Sequence, residues 1–288
     1  MITYKCPSCG GQLNLSVSGS FVCPYCGTKA YMSDSDFNDG EKFRKALLNY
    51  AEALANSKEN DYEHDGLFEI RGEDDYISKD GTQIALEYMF KYEKLNYTCY
   101  LTKESVVYVF DSKERAERFL DGLGMLSFPP ADSKLVRSFP EIKMKVQLTN
   151  GLVVAFYRRP GFYPAELFQP FPSIHLAWVI SRMENICCAL EYSGITHGDL
   201  NPQSLMINVK THEGALFGDW SQVLKKKDNR DLESLRRTAL DMAENSTEPK
   251  EMGRFLHSVP YGTAYDDFGR WDEVINKGFG GHHFHKYN

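Results

Sequence analysis

Four of the chain's seven cysteines fall in two identical spacings near its start, Cys6-Pro7-Ser8-Cys9-Gly10 and Cys23-Pro24-Tyr25-Cys26-Gly27. Two residues between thiols let one turn offer two sulfurs to a single ion, and the glycine after each pair permits the tight reversal. Four thiolates close a tetrahedral sphere, so the expected ion is a structural Zn2+ held by Cys6, Cys9, Cys23 and Cys26. Such pairs argue for metal rather than a disulfide framework. In so small a unit the metal supplies most of the folding free energy. A hairpin of Gln12–Val17 with Ser20–Val22 is expected to return the chain to the second pair. Cys99, Cys187 and Cys188 read as buried apolar residues.

Composition narrows the partners. The net charge is −7 with no long basic run, and Lys5 and Lys29 are the only charged residues up to Met32. That is too little cation for a phosphate-tracking surface, so nucleic acid is not expected; the ribbon reads as a docking or stabilising module, and a protein partner is expected through it or through the surface of the rest of the chain. No apolar stretch is long enough to span a bilayer and no signal-peptide core opens the chain, so the expectation is a cytoplasmic protein without a membrane partner.

Hydrophobic periodicity divides the 288 residues into a zinc ribbon at 1–31, an acidic linker and connector helix at 32–66, and a larger unit. The connector helix is expected from Phe43, Ala46, Leu47, Tyr50, Ala51 and Leu54. Strands follow: Phe68 and Ile70 alternate, as do Leu86, Tyr88 and Phe90, and Ser105–Phe110 is a β-branched and aromatic run. Asp111 is the expected cap of a helix over 112–123, with Glu114 completing a capping box. Asn150-Gly151 turns a hairpin between Ile142–Leu148 and Leu152–Tyr157. Ser173 opens a long helix that Gly194 stops, and Asp231 begins another. Strands, one helix, strands, then helices predict an α+β fold of two lobes, with boundaries at 67–160 and 161–288.

The sharpest motif is His197-Gly198-Asp199-Leu200-Asn201-Pro202, with Asp219-Trp220 eleven residues after Asn208. This pair of segments resembles the catalytic loop and metal-binding turn of the protein-kinase-like superfamily, in the form shared by bacterial kinases and aminoglycoside- or choline-kinase relatives. The resemblance covers roughly residues 80–280 and implies a bilobal fold, β-rich then helical, using ATP and Mg2+. Asp199 would stand beside the acceptor hydroxyl, Asp219 would hold Mg2+, and His197 would brace the loop. Asp231 would anchor that loop from below, and Tyr157–Gly161 would form the hinge. Tyr265–Phe268, Trp271–Ile275 and Gly280–Phe284 are similar to a bacterial and phage-associated kinase-like group.

Several positions depart from that family. Ser204 stands where an asparagine normally ligates the second Mg2+. No glycine occurs between Thr82 and Asp121, so the loop that should cover phosphates is missing. The strand Val106–Val109 has no lysine, its place being taken by Tyr108 or Val109, and Lys103 is the candidate substitute. Glu114 or Glu117 then lacks an ion-pair partner. Only ten residues separate Trp220 from Asp231, too few for a peptide-binding platform. Three readings stay open: a pseudokinase acting as a binding or regulatory module, an atypical ATP-dependent phosphotransferase using Asp199 and Asp219, and a zinc-ribbon adaptor that recruits a partner. His282, His283 and His285 in the tail offer a further possible metal cluster.

Overall fold

In the computed structural model the described residues are 2–6, 8–9, 11–34, 37–38, 41, 66–128, 134–226, 228–244 and 249–287. The expected connector helix at 43–54 lies outside them. The architecture is α+β, sheets first and helices after.

Two short hairpins form the N-terminal unit. Strand β1 (Ile2–Lys5) pairs antiparallel with β2 (Gln12–Leu15), and β3 (Gly19–Val22) with β4 (Lys29–Met32). The expected pairing of 12–17 with 20–22 is therefore wrong. Each cysteine pair sits in the turn of its own hairpin, because the turn itself reverses the chain: Cys6 N–H donates to Gly11 C=O and Cys23 N–H to Thr28 C=O, both at 2.9 Å. Among the described residues the buried cluster of this unit is Cys6, Leu13 and Cys23, with Leu15 and Phe21 against it.

A hairpin, β5 (Gly72–Ile77) with β6 (Gln83–Tyr88), precedes a five-stranded antiparallel sheet. The sheet contains β7 (Phe90–Glu93), β8 (Thr98–Leu101), β9 (Ser105–Phe110), β10 (Ile142–Leu148) and β11 (Gly151–Tyr157), in the order β10-β11-β9-β8-β7. The run Leu86–Phe90 is thus not one strand. It breaks at Met89, which turns into the core at 4% exposure, and the hairpin folds back over the sheet.

All six residues of β9 are buried. Val106, Tyr108 and Phe110 point into the main core, whereas Val107 and Val109 point outward, under Tyr76, Ile84, Leu86 and Tyr88 of the hairpin. Helix α1 (Lys113–Leu123) covers the inner face through Ala116 and Phe119. Its cap is Ser112, one residue later than expected. The extended Ser112 backbone lets its hydroxyl accept from Arg115 N–H, whereas Asp111 pairs with the Arg115 guanidinium.

The second half is built around α2 (Ser173–Tyr192), whose residues 176–190 are all buried. Gly194 has φ +71°, the left-handed conformation expected just past the helix end. A small sheet, β12 (Tyr163–Pro164), β13 (Leu205–Asn208) and β14 (Glu213–Leu216), packs on α2 through β14, while α3 (Arg230–Met242) and α5 (Ala264–Gly278) pack on α2 as well and α4 (Lys250–Leu256) lies against α5. One continuous apolar core runs from Tyr108 and Phe119 through α2 to Trp271 of α5. A buried charge knot ties the helices: Arg236 makes two bonds to Asp267, at 2.8 and 2.7 Å, and one to Glu184 at 3.4 Å. Among the described residues no helix is long and apolar enough to cross a membrane.

Candidate functional site

The loop between α2 and β13 carries the histidine–glycine–aspartate motif, and α3 holds it from beneath. Asp231 accepts from His197 N–H at 3.0 Å and from Gly198 N–H at 2.7 Å, one bond to each carboxylate oxygen. Gly198 sits at φ +79°, which side chains rarely adopt. His197 accepts at Nδ1 from Asp199 N–H at 3.2 Å, and its ring meets the Trp220 ring edge-on with centroids 4.4 Å apart. Burial lowers its pKa to about 3, so the ring is neutral at ordinary pH. His197 therefore sits as a brace for the loop.

Asp199 and Asp219 come together. Asp199 Oδ2 accepts from the Asp219 backbone N–H at 2.7 Å, and Oδ1 accepts from Asn201 Nδ2 at 2.7 Å. Burial raises the Asp199 carboxyl above its ordinary value, against the stabilising Asp219 N–H. This approach requires a glycine at 218: a Cβ there would lie 2.6 Å from the His197 ring and 3.0 Å from Asp199 Oδ2. The Asp219 carboxylate is itself occupied. Its Oδ1 accepts from Ser221 N–H at 2.9 Å and from Ser221 Oγ at 2.6 Å, capping the 3-10 turn Trp220–Gln222.

The other two expected cofactor ligands differ in their surroundings. The Ser204 hydroxyl donates to Asp199 C=O at 2.6 Å and accepts from Asn201 N–H at 2.9 Å. It closes the loop on itself, 6% exposed, and lines the same cavity as Asp199. Lys103 is exposed in the turn between β8 and β9, at the far end of β8 from Asp199, and does not line the cleft. The cation that does line it is Lys94, in the turn between β7 and β8, whose Nζ donates to Gln203 Oε1 at 2.8 Å. Its charge acts on Asp199, opposing the effect of burial.

Val109 faces the hairpin side of the sheet, whereas Tyr108 projects from β9 into the cavity. Its hydroxyl lies 3.0 Å from Phe217 C=O and 3.2 Å from Gly218 C=O, donating to the carbonyls just before Asp219. Its ring packs against Phe119 of α1 with centroids 4.7 Å apart, and against Tyr97 at 5.0 Å. Burial keeps the phenol neutral. Glu114 and Glu117 point to solvent, Glu117 beside Lys113. An aromatic cluster thus bridges β9 and α1. The remaining cavity, bordered by Tyr92, Tyr97, Tyr108 and Asp199, measures about 30 Å3. That is room for roughly two water molecules.

At the N-terminus the four sulfurs of Cys6, Cys9, Cys23 and Cys26 lie within 4.8 Å of one another. The Cys6–Cys26 and Cys9–Cys23 separations are both 3.7 Å. Zinc–sulfur bonds of about 2.3 Å in a tetrahedron put sulfurs about 3.8 Å apart, so the donor set fits Zn2+. Thr28, through its hydroxyl and its backbone, lowers the Cys26 thiol to about 6, favouring the ligating thiolate. Among the described residues this is the only group of its kind. The tail histidines do not converge: His282 pairs with Asp272 at 2.6 Å and His283 faces Gly280 C=O at 3.3 Å.

Sequence reasoning missed Lys94, Asn201 and Gly218. Asn201 and Gly218 stand beside recognised motif positions, but nothing in the spacing marks Lys94, whose place depends on where β7 begins.

No family model matches the chain and no curated protein matches it. Solved structures do resemble it. One is the bifunctional kinase-methyltransferase WbdD, 13% identical with a TM-score of 0.46, over 75% of this chain and 55% of that one. Another is the ROP18 kinase domain in complex with AMP-PNP and sucrose, 13% identical with a TM-score of 0.42, over 83% and 95%. A third is the kinase domain of PF14_0431, 14% identical with a TM-score of 0.41, over 60% and 70%. The chain spans about half the length of the WbdD chains it matches.

Proposed function

We propose that this chain is a pseudokinase, a kinase-like binding or regulatory module, behind a structural zinc ribbon. The kinase-like part of the reading is supported by the Asp231-anchored loop and by Asp199 meeting Asp219 N–H. The pseudokinase part is supported by one observation: the Tyr108 hydroxyl, at a position where the resemblance implies a cation, is bound to the Phe217 and Gly218 carbonyls. Phosphoryl transfer depends on charge stabilisation by positioned cations, and a neutral phenol supplies none. The division at residues 1–31, 32–66, 67–160 and 161–288 belongs to this reading.

The test is titration with ATP and Mg2+ at millimolar concentration, read by thermal shift and by ADP release. The reading expects no ADP. Release that Asp199→Asn abolishes would overturn it in favour of the phosphotransferase. That second reading is favoured by Lys94, a cation acting on Asp199 from an unexpected turn.

The ribbon is proposed as the docking element for a protein partner, supported by the exposed Val17, Val22, Tyr25 and Tyr31. Cross-linking in cells should lose its main product when Tyr25 and Tyr31 become serine. An unchanged pattern would remove the ribbon from the interaction.

A further inference from the structure

The segment Tyr157–Phe162 joins the five-stranded sheet to the helical half, and two props hold it to the β13–β14 hairpin. Arg159 Nη1 meets the Glu213 carboxylate at 2.8 Å, and Asn208 Nδ2 donates to Pro160 C=O at 3.3 Å. The crossing is close: Gly161 sits at φ +77°, and a Cβ on it would lie 2.7 Å from Asn208 Nδ2. Beside the props the hairpin presents a small residue. Ala215 pairs with Met206, and Glu213 and Phe217, two residues to either side, share its face. Gly214 faces the other way, since a Cβ there would lie 2.9 Å from Arg182 Cβ of α2. A cavity of about 100 Å3 is left beside Ala215. It shares Met206 and Phe217 with the cavity beside Asp199 and none of its other walls.

The walls are of two kinds. Phe139, Phe162, Met206, Ala215 and Phe217 are buried and apolar. Arg137, Arg158 and Arg159 stand against one lining carboxylate, Glu141. Arg158 is 6% exposed and donates through Nε to Phe162 C=O at 2.9 Å. Arg159 rests on the Phe162 ring at 4.0 Å, and its Nη2 donates to Arg137 C=O at 2.8 Å. Both guanidiniums are therefore positioned in advance, which lowers the cost of ordering them around an anion. An apolar floor beside fixed guanidiniums matches a molecule with a short hydrocarbon body and a carboxylate head. We propose that this cavity binds a short branched carboxylate, its body on Ala215, Met206 and Phe217 and its head among Arg137, Arg158 and Arg159. A dry cavity of about 150 Å3 admits benzene, so one of about 100 Å3 takes a body of about four carbons. The occupant touches neither Asp199 nor Asp219. It presses on Met206 and Phe217 and so reaches the wall of the Asp199 cavity without entering it. The site goes beyond the pseudokinase reading and holds whether or not the chain transfers phosphate.

The probe is isovalerate, titrated into the full zinc-loaded chain with isotope-labelled methionine methyls and followed by NMR. The Met206 resonance, assigned by its loss in Met206→Leu, should shift and saturate with a dissociation constant on the order of 1 mM. Isovaleramide has the same body without the charge and should bind about tenfold more weakly. Ala215→Leu fills the floor and should remove the shift. Acetate is too small for the floor and benzoate too large, and each should also bind about tenfold more weakly than isovalerate. The comparison among these four ligands needs no variant and stands if Ala215→Leu does not fold. No Met206 shift at about 10 mM isovalerate, or equal affinity for the amide, would overturn the site. A shift that persists in folded Ala215→Leu would place the ligand elsewhere and overturn it too.

Discussion

Gly122 of α1 lies so close to Trp220 that a Cβ on it would stand 1.8 Å from the Trp220 carbonyl oxygen. The helix and the turn that follows Asp219 are therefore in backbone contact, and α1 cannot pivot without moving that turn. Glycine inside a helix costs about 1 kcal/mol relative to alanine, so propensity alone favours Gly122→Ala. The clash is with backbone and wins: the substitution should destabilise the chain by about 3 kcal/mol in urea unfolding. A more stable variant would mean that α1 and Trp220 are apart.

Removal of the metal should unfold the ribbon alone. Its core of Cys6, Leu13 and Cys23 is too thin to pay the entropy of ordering the unit. Elemental analysis should find about one zinc per chain, and chelation should make residues 2–34 protease-sensitive while 66–287 keep their protection. No zinc in the purified chain would remove the ribbon.

Acid should weaken the fold through its neutral buried histidines. Below the ordinary value of 6.5 the unfolded chain takes up a proton at His197 that the folded chain refuses until about pH 3. Stability is thus lost as pH falls through that window, by about 1.4 kcal/mol per pH unit. His212, also lowered to about 3, chiefly by burial and then by Arg182, adds to the same slope. Burial raises Asp199 and Asp231, which act in the opposite sense and regain stability as pH falls through their raised values. Urea unfolding at about pH 6 and about pH 5 should give a shallower loss for His197→Asn than for the parent chain, by up to one proton. An equal slope would mean that His197 titrates normally.

The buried charge knot should be far more sensitive than surface pairs. Asp267→Leu leaves Arg236 with Glu184 alone, whose carboxyl burial pushes towards its neutral form. The expected loss is about 3–5 kcal/mol. Lys277→Ala breaks a pair whose side chains are 65% and 69% exposed and should change stability by less than about 0.5 kcal/mol. Equal effects in denaturant titrations would contradict the burial of Asp267.

What could be read in advance was local. The four cysteines and the Asp199 loop depend on short spacings, the Asp231 anchor, 34 residues from His197, on the resemblance alone, and the geometry brings their members together. What escaped depended on distant packing. Leu86, Tyr88 and Phe90 keep a perfect alternation, yet Met89 is drawn into the core and splits them between two sheets. Ser204 stands where the resemblance implies a ligand, and nothing in the spacing tells that its hydroxyl is engaged by Asp199 C=O and Asn201 N–H. Lys103 and Lys94 lie at opposite ends of β8, and only the strand register tells which end meets Asp199.

Arg236 draws its counter-charges from α2 and α5 and rests on the Phe255 ring at 3.5 Å. The Arg236 knot consequently balances its charge between α2, α3 and α5 alone, with no described side chain of the stretch between Trp220 and Asp231 in it. Helices clamped in this way hold their register independently of the connection that leads into α3.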